Sequence, residues 1–191
     1  MKHEVPDIQV TSRAAWRGWL ASHHASSGPI WLVTFKKHHP DYVSYAEIVE
    51  EALCFGWIDS TQRPVDEDRS KLYLTPRKAG SIWSALNKQR IAALEASGLM
   101  TPAGRAVIER AQADGSWSLL DDIDNLTMPD DLGAALDADA AARANWEAFS
   151  PSVRKQFLWW VKSAKRDVTR QARIEGTVRA AHDNVRVPGK A

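Results

Sequence analysis

The stretch from residue 55 to residue 90 constrains the fold most, because strand, turn and helix signals follow one another within it. Aromatic and β-branched residues around Trp57 favour a strand. Proline and carboxylates at residues 64–68 are typical of a chain reversal, and residues 71–75 have the pattern of a returning strand. The sequence then becomes helical, and Ser81 is placed to cap that helix. The stretch therefore predicts a hairpin with a long loop, followed by a helix.

Polar residues interrupt faces of this stretch that are predicted to be apolar. Alternation along the first strand places Asp59 on the same face as Trp57. On the helix, Asn87 falls in a stripe with Trp83 and Ile91. A buried amide without a partner costs roughly 1 to 3 kcal/mol, so Asn87 is expected to bond to the backbone or to face a polar pocket.

We interpret this polar intrusion as a candidate ligand site. Arg77 and Lys78 precede the predicted helix start, and cations beside free helix amides are typical of a site for phosphate or carboxylate. The alternative is a network that only stabilises the fold. The candidate ligand-binding residues are Trp57, Asp59, Arg63, Tyr73, Arg77, Lys78, Ser81, Trp83 and Asn87.

The sequence before this stretch predicts a helix, a strand and a second helix. Thr11 or Ser12 is placed to cap the first helix. Residues 30–35 form an almost continuous apolar run, which predicts a strand covered on both faces. Ser44 and Glu47 form a capping box for the second helix.

The sequence after the central stretch is predicted to be helical. Residues 116–125 lack sustained periodicity and are rich in aspartate, so we place a domain boundary there. Residues 1–120 are predicted to form an α+β domain with a small, mostly antiparallel sheet and packed helices, and residues 121–191 an all-helical module. Helix starts are predicted at Thr101, Pro129, Asp137 or Asp139, Ser150 and Asp167.

Charge is unevenly distributed along the chain. The net charge is only +1, which argues against wholesale binding to nucleic acid or anionic lipid. However, residues 101–149 hold three basic and ten acidic side chains, whereas residues 150–191 hold ten basic and three acidic ones. These segments either lie against each other, or the basic one meets an acidic partner. The candidate partner-binding residues are Trp159, Lys165, Arg170 and Arg173.

The composition and the N-terminal sequence predict a cytoplasmic protein. Cys54 is the single cysteine, which excludes an intramolecular disulfide and fits a reducing compartment. The N-terminus lacks the apolar core of a signal peptide, and the apolar run at residues 157–161 is too short to span a bilayer. The nine tryptophans are expected to lie mainly in the core.

The motifs that would identify common enzyme classes do not occur. The sequence has no Gly-rich dinucleotide fingerprint, Walker loop, Cys-x-x-Cys, His-Glu-x-x-His or Gly-x-Ser-x-Gly. Two pairs of adjacent histidines, at residues 23–24 and 38–39, lack the spacing and carboxylate or thiol support of a metal site. We therefore expect no metal and no cofactor.

Four runs together resemble the YdeI/OmpD-associated family, also called bacteriocin-protection proteins: CFGWIDS, TPRKAGSIWSALNKQR, TPAGRA and SPSVRKQFLWWVKSAKRDVTRQARI. The resemblance implies an N-terminal α+β part similar to YjbR/CyaY-like proteins, a helical C-terminal module, and a link to bacteriocin or antimicrobial-peptide tolerance and to an outer-membrane porin. Val168 departs from the acidic residue expected before Thr169. The matching positions are Gly56, Trp57, Asp59, Arg63, Pro76, Arg77, Gly80, Ser81, Trp83, Asn87, Trp160, Ala164, Lys165, Thr169, Arg170, Arg173 and Ile174.

Three functional hypotheses follow. The first is a non-enzymatic binding protein that holds a small anionic ligand or a peptide at the central cluster, with an indirect role in bacteriocin tolerance. The second is an enzyme in which Asp59 is a general base and Arg77 with the helix amides at Ser81 stabilises an anion. The third is a nucleic-acid contact through the basic C-terminal helices, with Trp159 as a stacking platform.

Overall fold

The computed structural model describes residues 5–190, which form two compact units divided between Leu119 and Leu120. Residues 1–4, part of the N-terminus that is predicted to lack a signal peptide, and residue 191 lie outside the described residues. The N-terminal unit contains β1 (Asp7–Gln9), α1 (Arg13–His23), β2 (Ile30–Phe35), α2 (Tyr45–Cys54), β3 (Trp57–Pro64), β4 (Arg69–Pro76), α3 (Ala85–Ala96) and α4 (Pro102–Ala113). The C-terminal unit contains α5 (Asp121–Asp124), α6 (Asp130–Asp137), α7 (Ala140–Ala148), α8 (Pro151–Lys162) and α9 (Asp167–His182). This order confirms an α+β fold with a helical C-terminal region.

Within residues 5–190 the strands form one mixed sheet in the order β1, β2, β4, β3. β1 is parallel to β2, and the other neighbouring strands are antiparallel. One face, which we call the inner face, carries Ile30 and Leu32 of β2 and Leu72 and Leu74 of β4. These side chains are buried in one core with residues of all four helices of the unit.

The opposite face of the sheet, the outer face, is only partly covered. Trp31 and Tyr73 are register partners on this face and meet edge to face, with ring centroids 5.1 Å apart. The charged groups of Arg63 and Lys71 lie 5.0 and 5.1 Å from the Trp31 ring. The predicted cover of β2 on both faces is found in part: on this face Val33 is 5% exposed and Trp31 is half-buried, and cation–π and ring contacts cover Trp31.

The hairpin of β3 and β4 has a shorter loop than predicted. Both strands extend beyond their apolar residues, so only residues 65–68 join them. Asp66 closes this turn. Its carboxylate accepts the backbone N–H groups of Asp68 and Arg69 at 3.0 and 2.7 Å and pairs with the Arg69 guanidinium at 2.6 Å. The acidic turn residues that the sequence indicated are therefore used locally, to fix the reversal.

The cap of α3 is Ser84 and not Ser81. The Ser84 hydroxyl accepts the N–H of Asn87 at 3.3 Å. The Ser81 N–H instead donates to the Lys78 carbonyl at 3.2 Å, in a turn where Gly80 has a φ of 72°. This left-handed turn, which glycine tolerates best, delays the helix. The predicted caps at Ser12, Ser44 with Glu47, Thr101, Asp139 and Ser150 are confirmed.

The C-terminal unit packs its helices around Trp146, Phe149 and Phe157, whose rings contact one another. Basic side chains of α8 and α9 pair with acidic side chains of the preceding segment, so these stretches lie against each other as one of the two charge interpretations predicted. The pairs are Lys155 with Asp124 at 2.9 Å, Lys162 with Asp122 at 2.6 Å and Arg170 with Asp131 at 2.7 Å. His182 also bonds to Asp139, at 2.9 Å.

Candidate anion-binding site

Arg77, the first residue after β4, is held by both its backbone and its side chain. Its N–H donates to the Gly56 carbonyl at 2.9 Å, across the start of the hairpin. Its guanidinium carbon lies 3.6 Å from the centroid of the Trp83 ring, and its Nη1 donates to the Ile82 carbonyl at 3.1 Å. The residue is only 5% exposed. A cation is therefore fixed inside the N-terminal unit.

The rest of the Arg77 guanidinium has no partner. Nε and Nη2 are buried and make no hydrogen bond to any residue in the described range 5–190. These two nitrogens lie on one edge of the planar group, and this edge has the spacing of a carboxylate or phosphate. Burial lowers the pKa of Arg77 to about 10, and the nearby charge of Asp59 raises it only in part. The site thus holds a positive charge that the surrounding residues do not fully compensate.

Asp59 is the acid whose charge raises the pKa of Arg77. Its carboxylate, however, accepts a hydrogen bond from another side chain. Its Oδ2 accepts the hydroxyl of Tyr45 at 2.6 Å, which joins β3 to the start of α2. Burial and then this hydrogen bond to Asp59 raise the pKa of Tyr45 to about 12. The β3 register shifts immediately after Asp59, before Gln62. The regular alternation predicted from Trp57 therefore ends at Asp59.

We expect Asp59→Asn to lower the pKa of Tyr45 from about 12 toward its ordinary value of 10, because the charged acceptor that favours the neutral phenol is removed. The pKa stays above 10, because the burial of Tyr45 is unchanged. A pH titration of ¹³Cζ-tyrosine resonances measures it. The resonances of Tyr42 and Tyr73 serve as internal controls. An unchanged Tyr45 titration would contradict the hydrogen bond.

Asn87, the polar residue in the predicted apolar stripe, is half-buried and partnered. Its Oδ1 accepts Nη1 of Arg90 at 3.2 Å. The Arg90 guanidinium also lies 6.0 Å from the ring of Tyr45. Ile91, from the same stripe, is buried in the core. Asn87 therefore faces a polar cluster at the edge of the core, which is one of the two placements expected for it.

The other predicted ligand-binding residues lie in three different places: the core, the outer face of the sheet and the surface beside Arg77. Trp57 is 1% exposed, lies in the core, and donates its indole N–H to the His24 carbonyl at 3.2 Å. Arg63 and Tyr73 lie on the outer face around Trp31. Lys78 is exposed and, with Tyr73, Thr75, Pro76, Arg77, Gly28 and Pro29, lines a surface concavity.

Sequence reasoning missed Tyr45 and Arg90 as members of this cluster. The only local signal in the sequence is that Tyr45 is an aromatic residue at the first position of α2. In the structure it is 46% exposed. Its contact with Asp59 spans 14 positions and requires the hairpin to fold onto α2.

Most of the predicted partner-binding residues of the C-terminal unit have intramolecular roles. Trp159 is half-buried against the core. Arg170 pairs with Asp131 through two hydrogen bonds of 2.7 and 2.8 Å, which raises the pKa of Arg170. Arg173 donates to the Trp160 carbonyl and, at 2.9 Å, to the hydroxyl of Ser163. Lys165 is exposed.

The single cysteine and the histidines of the two adjacent pairs lie in ordinary structural surroundings. Cys54 is buried, and burial raises the pKa of its thiol. His39 stacks on the Phe35 ring at 3.6 Å, and His23 bonds to the Trp19 carbonyl at 2.8 Å. In the part of the chain that the structure describes, no group of three or more histidine, cysteine or acidic residues could hold a metal ion. Within residues 5–190, no helix is long and apolar enough to cross a bilayer.

Two family models match the chain. The model described as "Domain of unknown function (DUF8412)" matches residues 8–107, more than half of the chain, so the protein belongs to this family. The model described as "Bacteriocin-protection, YdeI or OmpD-Associated" matches residues 125–184. No curated protein and no solved structure matches the chain.

These matches confirm one half of the resemblance seen in the sequence and do not support the other. The helical C-terminal module matches the YdeI/OmpD-associated model over residues 125–184, the part of the chain that contains the SPSVRKQFLWWVKSAKRDVTRQARI run. The N-terminal part matches the DUF8412 model and not a YjbR/CyaY-like one. Its hairpin and helices are elements that many unrelated α+β proteins share, so their order alone does not define a family.

Proposed function

We propose that the protein is a binding protein whose N-terminal unit holds a small anionic ligand, or the carboxylate of a peptide, on the free edge of Arg77. The observation that carries this proposal is the pair of buried, unpartnered nitrogens Nε and Nη2. A buried donor without a partner costs about 1 to 3 kcal/mol, and more for a charged group. An acid that accepts from both nitrogens removes this cost and gains two charge-assisted hydrogen bonds.

The electrostatics of the site also support an anion. Asp59 compensates part of the Arg77 charge through space, but its carboxylate is already bound to Tyr45. The free edge is shielded from solvent, where a hydrogen bond to a charged group is stronger than in water. Lys78 adds a second, exposed cation, and it lines the adjacent concavity together with Arg77. In this proposal the ligand enters from that concavity, and the side chains over the buried edge of Arg77 move to admit it. The site therefore attracts anions at its mouth and binds them at Arg77.

The C-terminal domain connects this binding activity to bacteriocin or antimicrobial-peptide tolerance, as its family description suggests. In this proposal the role is indirect: the protein binds a ligand and does not modify it. The enzyme hypothesis is less well supported, because α3 begins at Ala85 and the helix amides expected at Ser81 are not there. The nucleic-acid hypothesis is also weakened, since the basic side chains Lys155, Lys162 and Arg170 are paired with acids.

We expect acetate, inorganic phosphate or a short peptide with a free C-terminus to stabilise the wild type, and Arg77→Met to abolish this effect. A ligand at a hundred times its Kd adds about 2.7 kcal/mol to the free energy of unfolding. The ¹⁵Nε–H resonance of Arg77 should shift during the same titration, because that nitrogen donates to the ligand. A peptide amidated at its C-terminus tests whether the carboxylate is the group recognised.

Arg63→Met is the matched control, because Arg63 is an exposed arginine that stacks on a tryptophan elsewhere in the unit. It should leave anion binding unchanged. Without ligand, Arg77→Met should raise the free energy of unfolding by about 1 kcal/mol, because methionine still packs on Trp83 and buries no unpaired charge. No anion effect in the wild type, together with strong destabilisation by Arg77→Met, would show that Arg77 serves the fold alone.

A further inference from the structure

The inner face of the sheet changes from apolar to polar toward one end. Alternation along β2 places Ile30, Leu32 and Thr34 on this face, and the register pairs Thr34 with Ser70. Gln62 of β3 follows on the same face beside them and donates to the Ser70 hydroxyl at 3.3 Å. Thr34 is 5% exposed, Ser70 is half-buried and Gln62 is exposed, so this end of the face opens to solvent, and the buried hydroxyl of Thr34 lies beside exposed hydrogen-bonding groups.

These polar side chains line a cavity of about 190 Å³. Its bottom is apolar, because Ile48 and Leu72 are 3% and 4% exposed. Its mouth is aromatic and basic: Tyr42 and Tyr45 are 41% and 46% exposed, and Lys37 is also exposed. The cavity thus has an apolar bottom, hydrogen-bonding groups at its side and two phenol rings with a cation at its opening.

The size and lining of the cavity favour a single planar ring. An apolar cavity of about 150 Å³ holds benzene, so 190 Å³ accommodates one ring with small substituents. A sugar presents hydroxyls all round, and those that face Ile48 and Leu72 would lose hydrogen bonds to water without replacement. An aromatic ring needs partners only at its edge, where the hydroxyls of Thr34 and Ser70 and the amide of Gln62 provide both donors and acceptors.

The charges around the cavity favour an acidic substituent on that ring. Lys37 and Lys36 both line the cavity. The Lys36 ammonium donates to the backbone carbonyls of Asp66 and Glu67 at 2.7 and 2.8 Å. Because both acceptors are neutral, these contacts do not neutralise its charge. Among residues 5–190, no acidic side chain lines this cavity. The nearby Asp59 carboxylate accepts the Tyr45 hydroxyl at 2.6 Å and does not line the cavity, so an anionic group is attracted to the Lys37 side of the mouth.

We propose that this cavity is a second binding site, which takes a planar one-ring aromatic compound with an acidic group. The ring lies against Ile48 and Leu72, its edge bonds to Gln62, Thr34 and Ser70, and its acidic group lies near Lys37. A free aromatic acid and a pyrimidine nucleotide share this chemistry, provided that the ribose of the nucleotide lies outside the cavity, at its mouth. The site is separate from Arg77, which does not line the cavity.

The test is saturation-transfer difference NMR on the full chain. The acidic probes are benzoate, phenyl phosphate and uridine monophosphate. Uridine and benzyl alcohol are their neutral counterparts, and ribose 5-phosphate is an anion without an aromatic ring. We expect the protein to transfer saturation to the ring protons of the aromatic probes. We also expect the acids to have lower Kd values than their neutral counterparts. The relative affinities of benzoate and uridine monophosphate distinguish the two sources of the ligand.

Three variants locate the binding. Gln62→Leu should weaken every aromatic probe about five- to tenfold, because it removes the edge partner. Lys37→Gln should weaken the acids about threefold and leave the neutral probes unchanged. Arg77→Met should leave the neutral probes unaffected. Because the acids are also ligands of the proposed Arg77 site, their Kd values at the cavity are compared in the Arg77→Met background, where only the cavity remains to bind them. Both Gln62 and Lys37 are exposed, so these variants should fold, and circular dichroism checks that they do. The proposal is overturned if no aromatic probe binds, if ribose 5-phosphate binds equally well, or if Gln62→Leu has no effect.

Discussion

Glu51→Ala should destabilise the N-terminal unit by about 3 kcal/mol, because it removes a buried carboxylate that two arginines share. Glu51 is 1% exposed. It accepts Nε of Arg13 at 2.6 Å and Nη1 of Arg17 at 2.7 Å, and so joins α1 to α2. Arg17 in turn donates Nη2 to the Leu99 carbonyl at 2.8 Å, which brings the connection between α3 and α4 into the same network.

The pKa values of the two arginines agree with this arrangement. Burial lowers the pKa of Arg13 and of Arg17, but the hydrogen bonds and the charge of Glu51 raise it more, and both pKa values lie above the ordinary value. Without Glu51 the unfavourable contribution of burial remains, and only the smaller contributions of Glu50 to Arg13 and of Cys54 to Arg17 oppose it. Because about a third of each arginine side chain is exposed, water recovers part of the loss, and we expect the lower end of the usual 3 to 5 kcal/mol range.

Glu50→Ala is the matched control for Glu51→Ala. Glu50 is the next residue of α2 and also pairs with Arg13, at 2.9 Å, but its side chain is 28% exposed. A partly solvated pair of this kind contributes about 0 to 1 kcal/mol. Urea unfolding of both variants measures the difference. Equal losses of stability at the two positions would contradict the role of burial in this argument.

The sequence predicted those parts of the fold that depend on neighbouring residues. The capping box of Ser44 and Glu47, the cap and first-turn proline at Thr101 and Pro102, and the strand at residues 30–35 are confirmed, because each depends on groups within a few positions. The helix after β4 shows the limit of this reasoning. Ser81 and Ser84 are equally suitable caps locally, and only the turn at Gly80 selects the second.

The site could be predicted only in part, because its decisive contacts join distant positions. Arg77, Trp83 and Asp59 stood out as polar or aromatic residues in one short stretch, and the structure brings the first two into contact. That two nitrogens of Arg77 lack a partner follows from three-dimensional packing, and no sequence pattern encodes it. The same holds for Glu51, whose partners lie 38 and 34 positions away.

Gly104→Ala should destabilise the N-terminal unit by about 3 kcal/mol or more, because no space exists for a side chain at this position. A Cβ on Gly104 would lie 2.3 Å from the Cys54 carbonyl oxygen and 2.8 Å from Met100 Cε. The first contact is with backbone, which a rotamer change cannot relieve. The same carbonyl, at the end of α2, accepts the Thr101 hydroxyl at 2.5 Å and the Thr101 N–H at 3.3 Å. The methyl group would therefore separate α4 from α2 and break these bonds.

Gly18→Ala is the control with the opposite expected sign. Gly18 lies inside α1, and a Cβ there meets nothing within 4 Å. Alanine in a helix interior is favoured over glycine by about 0.8 to 1 kcal/mol, so Gly18→Ala should stabilise the same unit. Urea unfolding of the two variants measures the change in the free energy of unfolding for the same glycine-to-alanine substitution in α4 and in α1. A small effect of Gly104→Ala would show that α4 moves away from α2 at little cost.

The effect of Gly104→Ala should extend to Arg77. Gly56, which follows α2, has a φ of 75° and lies against Val107 of α4, where an added Cβ would be 2.6 Å from Cγ2. The carbonyl of Gly56 accepts the N–H of Arg77. Displacement of α4 therefore reaches the backbone that positions the proposed anion site. If a folded population of Gly104→Ala remains, it should bind anions more weakly than the wild type, whereas Gly18→Ala should bind them equally well.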